Sequence, residues 1–168
     1  MRNNLTSRLV KTALVAAIYV AITLIISPIA YGNIQFRLSE ILVLLSFADP
    51  LYILGLTLGC FVANFNSPLG PIDVGLGTFA TFLSVSSIYF TSKYMKNGKM
   101  SLFIASLWPT IFNGIIVGWE LNFMFSLPLT LSILQVALGE FVVVSIIGVP
   151  VMSKLFKKYS FKVTERAV

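Results

Sequence analysis

Few side chains in this sequence could do polar chemistry, and carboxylates lead them. Glu140 lies inside an apolar stretch with no cation near it in sequence. A charge in a hydrocarbon region is costly and usually marks a pathway or a ligand. Glu140 is therefore protonated, paired with Arg37 folded inward, hydrogen-bonded to a neighbouring helix, or open to a donor from a ligand. Gln135 precedes it by five residues, and Asn113, Asn64 and Asn66 add amides in two other apolar stretches. Arg37 and Glu40 are three apart, a spacing at which a helix forms an ordinary ion pair worth about 0.2–0.5 kcal/mol. Trp119 stands beside Glu120. An aromatic plane next to a carboxylate suits a flat heterocycle with ring N–H donors, and the same indole also reads as an interfacial belt residue. With no His and one Cys, Cys60, imidazole bases, Ser-His-Asp and Cys-His arrangements, His-rich metal sites and internal disulfides are excluded. A membrane enzyme built on carboxylates is disfavoured as well, because no closely spaced acidic motif is present.

The elements that carry these groups are set by composition. Of 168 residues, 57% are hydrophobic and 11% charged, and the mean hydropathy is +0.93. That is too little polar surface to coat a soluble domain, so the chain reads as one all-α integral membrane domain over 1–168. A spanning helix needs about 20 apolar residues, and the long charge-free runs place helices at 10–28, 50–65, 73–92, 101–118 and 130–153. The basic start before an apolar run reads as the first of these helices rather than as a cleaved leader. A sixth candidate, 35–47 (QFRLSEILVLLSF), reaches only about 20 Å as an α-helix.

Charge decides for that short segment. Arg2, Arg8 and Lys11 precede the first helix, Lys93, Lys96 and Lys99 follow the one at 73–92, and Lys154, Lys157, Lys158, Lys162 and Arg166 follow the last. The positive-inside rule asks for all three clusters on the cytoplasmic side. A crossing at 35–47 puts eleven of the twelve cations there and leaves only Arg37 outside. The expectation is a bundle of six transmembrane helices in the cell membrane with both termini cytoplasmic, and a basic tail at 154–168 against lipid headgroups. The excess of positive charge is accordingly a topology signal and not a nucleic-acid footprint.

The outward connections hold the unusual residues. The first, 28–37, has Gly32 and Asn33 as turn formers. The second, 64–73, is stiffened by Pro68 and Pro71 and ends at Asp73, placed to cap the next helix. The third, 117–128, is amphipathic and aromatic. Inward, Asp49-Pro50 makes a tight turn and Asn97-Gly98 centres a basic hairpin. Ala13, Ala17 and Ala21 repeat every four residues, stacking small side chains on one face so that another helix can approach closely. Gly55 with Gly59, and Gly75, Gly77 and Ala80, read as internal packing. The chain has no Gly-x-x-x-x-Gly-Lys-Ser/Thr phosphate loop and no obvious inverted repeat for alternating access. If it moves a solute, a separate motor drives it.

The blocks RLSEILVLL (37–45), ADPLYILGLTLGCFVANF (48–65), GPIDVGLGTFATFLS (70–84), FNGIIVGWEL (112–121) and LGEFVVVSIIGVPV (138–151) resemble, in this order, the QueT family. These are S components of energy-coupling factor (ECF) transporters assigned to queuosine precursors. The resemblance runs over about 8–155. It implies a site opening outward and closed by loops, and a complex with a T component and two cytoplasmic ATPases that consume ATP, with no cofactor held by this chain. It also implies that the S component topples in the membrane during transport. Ala13, Ala17 and Ala21 match the docking pattern for the T component. The implied ligand is a 7-deazaguanine such as preQ0, preQ1 or queuine. Its guanine-like edge offers donors that match a carboxylate bidentately, its carbonyl accepts, and its ring stacks. On that basis Glu140 is expected at the guanine-like edge with Asn64, Asn113 and Gln135 as amide partners. Asp73 and Glu120 come next and suit an aminomethyl cation, Trp119 and Tyr31 suit stacking, and Arg37 with Glu40 forms a gate or internal pair. The alternatives are an S component for another vitamin or nutrient, and a stand-alone permease.

Overall fold

The computed structural model describes residues 2–32, 34–95 and 99–158, and every regular element among them is helical. Asn33, the hairpin centre with Lys96, and the part of the basic tail that holds Lys162 and Arg166 lie outside the described residues. In chain order the elements are α1 (Arg2–Ile25), a single turn α2 (Ser27–Ala30), a 3-10 helix (Leu38–Phe47), α3 (Leu51–Asn64), α4 (Pro71–Tyr94), α5 (Lys99–Phe125), α6 (Leu129–Glu140), a π-helical stretch (Phe141–Gly148) and α7 (Val149–Lys158).

Thr6–Ile25, Pro71–Tyr94, Met100–Phe125 and Leu129–Lys158 are long and apolar enough to cross a membrane, and two shorter apolar helices accompany them. Helices suit such sequences because the backbone satisfies its own polar groups where no water can. The outside of the bundle is apolar, with Leu54, Phe65, Phe123 and Leu134 exposed. The inside holds Gln35, Glu40, Asp73, Glu120 and Glu140, each no more than 2% exposed.

Small residues set the helix spacing. A Cβ on Gly55 would fall 2.7 Å from the Thr12 carbonyl oxygen, and one on Gly59 would fall 3.1 Å from that of Ala16. These two glycines therefore seat the inner face of α1 directly on α3. Thr12, Tyr19 and Thr23 point inward, while Ala13, Ala17 and Ala21 lie exposed on the opposite face. Gly118 brings α5 equally close to Ile133 of α6, where a Cβ would lie 2.6 Å from the Ile133 Cα.

The short segment around Glu40 becomes the centre of the bundle. The 3-10 helix packs on α1, α3, α4, α5, the π-helical stretch and α7. Ser39, Glu40 and Val43 through Phe47 are buried, and the Ser39 hydroxyl lies 2.6 Å from that of Thr23 on α1. Ten residues at a 3-10 rise of about 2.0 Å per residue reach about 20 Å. Residues 35–37, expected to be helical, instead run as the approach to it.

The first helix runs Arg2–Ile25 rather than 10–28 and the last continues to Lys158 rather than 153; two further differences have clear physical reasons. The helix expected to end at 118 continues to Phe125, because no residue stops it before Ser126, which adopts φ 54°, and Pro128. Asn122 closes this turn by donating to the Leu127 carbonyl. The expected cap of α4 by Asp73 does not form. Gly70 occupies the N-cap at φ 66° with no side-chain hydrogen bond, and Pro71 opens the first turn, where a missing N–H costs nothing. Asp73 is thereby free to point inward.

Candidate functional site

Of the polar residues singled out in the sequence, Arg37, Asp73 and Asn64 form a buried ion-paired knot under Tyr31, Glu140 pairs with Asn113, Glu40 turns to Tyr19, and Glu120 stands alone. The knot forms where α1 and α3 end and α4 begins. Arg37 donates through Nη2 to Asp73 Oδ2 at 3.1 Å, through Nη1 to Asn64 Oδ1 at 3.4 Å and through Nε to the Ala30 carbonyl at 3.4 Å. Its guanidinium stacks over the Tyr31 ring, 5.0 Å from the centroid. The Tyr31 hydroxyl donates to the Ala63 carbonyl at 2.7 Å, and burial pushes its pKa up to about 12, so it stays a donor. Asn64 is fully occupied, since its Nδ2 donates to the Asp73 carbonyl at 3.0 Å and to Cys60 Sγ at 3.5 Å. Gly77 makes room for all of this, because a Cβ there would collide with Asp73 Oδ1 and sit 2.8 Å from Asn64 Nδ2.

The expected pair of Arg37 with Glu40 is therefore corrected: the partner of Arg37 is Asp73. Arg37 precedes the 3-10 helix with φ −83° and ψ 89°, so the three-residue spacing never acts as a helical one. Glu40 turns instead toward α1, where the Tyr19 hydroxyl donates to its Oε1. Thr81 and Cys60 lie nearby, their Oγ1 and Sγ 3.2 Å apart.

Glu140 ends α6, immediately before the helix widens into its π-helical stretch, a feature often found at functional positions. Asn113 on α5 donates from Nδ2 to Glu140 Oε1 at 3.0 Å. Glu140 Oε2 has no hydrogen-bond partner among the described residues. Gly139 lets the chain before the 3-10 helix cross here, since a Cβ would fall 2.7 Å from the Gln35 carbonyl oxygen. Gln135 is half-buried on the same helix.

Glu120 stands apart. It is fully buried, and neither Oε1 nor Oε2 has a hydrogen-bond partner among the described residues. Trp119 is not brought to it. Because both residues are helical, successive side chains diverge by about 100°. The indole lies on the lateral surface at 46% exposure, stacked on Phe123 with centroids 5.5 Å apart. It lines an apolar groove of about 370 Å³ with Leu76, Phe79, Ile115 and Ile133. Asn66 is exposed at the rim of a second hollow, about 300 Å³, shared with Ser27, Pro28, Tyr31 and Pro68.

Tyr19, Thr81, Gly77 and Gly139 were not singled out as site residues in the sequence. Tyr19 could have been found, because it lies on the face of α1 opposite the alanine stripe. The others depend on contacts between distant segments.

The site thus holds four buried carboxylates, Glu40, Asp73, Glu120 and Glu140, against one buried cation, Arg37, among the described residues. Such a centre offers acceptors to a solute rich in donors and can hold it without covalent chemistry. An apolar exterior around an acidic interior defines a multi-pass integral membrane protein built to receive a polar solute. The chain belongs to the QueT transporter family, whose model matches residues 9–157, and it is a transport protein. It is 35% identical over 167 residues to the queuosine precursor transporter QueT of Lactococcus lactis subsp. cremoris (strain MG1363), covering 94% of this chain and 97% of that protein. No solved structure matches it.

Proposed function

We propose that this chain is the solute-capturing S component of an ECF transporter that imports a queuosine precursor of the 7-deazaguanine type. The observation that carries the ligand assignment is Glu140, buried, steadied by Asn113 through one oxygen and open at the other. A carboxylate so placed fits the ring N–H and exocyclic amine of a guanine-like edge. The related Lactococcus protein, named as a queuosine precursor transporter, supports the same ligand class.

In this reading the bundle crosses the membrane six times with both termini cytoplasmic. The positive clusters ask for it, and the 3-10 helix, although short, packs on six other elements and buries most of its residues. The Arg37–Asp73 knot then lies at the outer end, where loops close over the solute. Ala13, Ala17 and Ala21, exposed on α1, present a smooth face to a T component, and two partner ATPases supply the energy.

Uptake of a labelled 7-deazaguanine into proteoliposomes tests this reading. Uptake is expected only with the T component, both ATPases and ATP. Ala17→Trp is expected to abolish uptake while leaving ligand binding by the purified chain intact. Uptake by the chain alone would make it a stand-alone permease.

A further inference from the structure

Resting on the 7-deazaguanine reading above, the structure assigns Glu120 as the counter-ion for a positively charged amine on the ligand, so that the site takes an amine-bearing cation in preference to its neutral analogue.

The placement of the buried charges carries this inference. Arg37 is spent on Asp73, Asn64 and Ala30. Glu40 accepts from Tyr19 and Glu140 accepts from Asn113. Glu120 accepts from nothing among the described residues, through either oxygen, at 0% exposure. An isolated carboxylate is among the costliest groups to bury, and Asp73 on α4, the helix packed against α5, carries a further unpartnered oxygen, Oδ1. A guanine-like edge meets one carboxylate bidentately, and Glu140 fills that role. A neutral planar ligand would leave Glu120 unanswered, whereas an ammonium brings three donors and the opposite charge.

The spacing agrees. Asn113, which holds Glu140, and Glu120 lie on the buried face of α5, seven residues and therefore about 10 Å apart along the axis. That separation is comparable with the long dimension of a two-ring heterocycle carrying a one-carbon amine arm. Val117, also buried, lies between them on the same helix and packs with Leu69, Ala80, Leu121 and Val136.

Isothermal titration of the full chain in lipid nanodiscs with a matched pair tests the assignment: 7-aminomethyl-7-deazaguanine, a cation, and 7-cyano-7-deazaguanine, which is neutral. The wild-type chain is expected to bind the amine at least about tenfold more tightly, as a charge-assisted contact provides. Glu120→Gln keeps the shape of the side chain. It is expected to lower affinity for the amine by about tenfold or more and to leave affinity for the nitrile unchanged within about twofold, a residual that also shows the variant is folded. Equal wild-type affinities, a preference for the nitrile, or an equal loss for both ligands in Glu120→Gln would overturn the assignment while leaving the deazaguanine reading in place. Binding of neither ligand by the wild-type chain would overturn that reading and this inference with it.

Discussion

Arg37 shows how much a single buried charge organises here. Its partners come from the α1–3-10 connection, α3 and α4, so it fixes the end of the bundle where those segments meet. Removing one member of a buried pair leaves an uncompensated charge. Arg37→Gln is therefore expected to cost about 3–5 kcal/mol of stability, read as a lowered midpoint of thermal unfolding. Adding Asp73→Asn should recover part of that loss, because it removes the orphaned carboxylate. An Arg37→Gln variant that melts like the wild type would show that the pair contributes nothing. At this scale the sequence showed which polar residues lie in apolar runs and concealed their partners. Glu140, Asn113, Asp73 and Glu120 stand out as polar groups in apolar runs. The link from Arg37 to Asp73 spans 36 residues and depends on a tertiary crossing that local spacing does not encode.

The elements position these groups through glycines used for different ends. At Gly139 the backbone of the 3-10 approach runs against α6, so a side chain there must displace main chain. Gly139→Val is expected to destabilise the protein by about 1–3 kcal/mol through overpacking and to weaken ligand binding, because Glu140 is the next residue. Around Gly75, by contrast, a Cβ would meet nothing within 4 Å, so Gly75→Ala should be neutral or stabilise α4 by up to about 1 kcal/mol. Thermal unfolding of both variants checks the contrast, and equal effects would contradict it. Long apolar runs made the helices at 73–92 and 130–153 legible. The extension of α5 to Phe125 was obscured because Trp119 through Asn122 combine aromatic and polar residues in a way that resembles a loop, and on the helix Trp119 and Glu120 diverge by about 100°. That the segment around Glu40 is a largely buried 3-10 helix packed on six other elements follows from packing, which composition alone does not express.

Over the whole molecule, the low charge content marks a membrane protein from composition alone, and the few interior charges gather at its buried centre. Lys11, Lys93, Lys154, Lys157 and Lys158 are exposed, whereas Arg37 is buried among carboxylates. The molecule thus separates a basic periphery from an acidic centre, as suits a protein that must stay oriented in a bilayer and hold a donor-rich solute within it. In the proposed function Glu140 receives the guanine-like edge of a 7-deazaguanine. Calorimetric titration of the purified chain in nanodiscs with 7-aminomethyl-7-deazaguanine, wild type against Glu140→Gln, tests it most directly. Loss of a charged acceptor for two donors should weaken binding by well over about tenfold, and an unchanged affinity would remove Glu140 from the site and contradict the account.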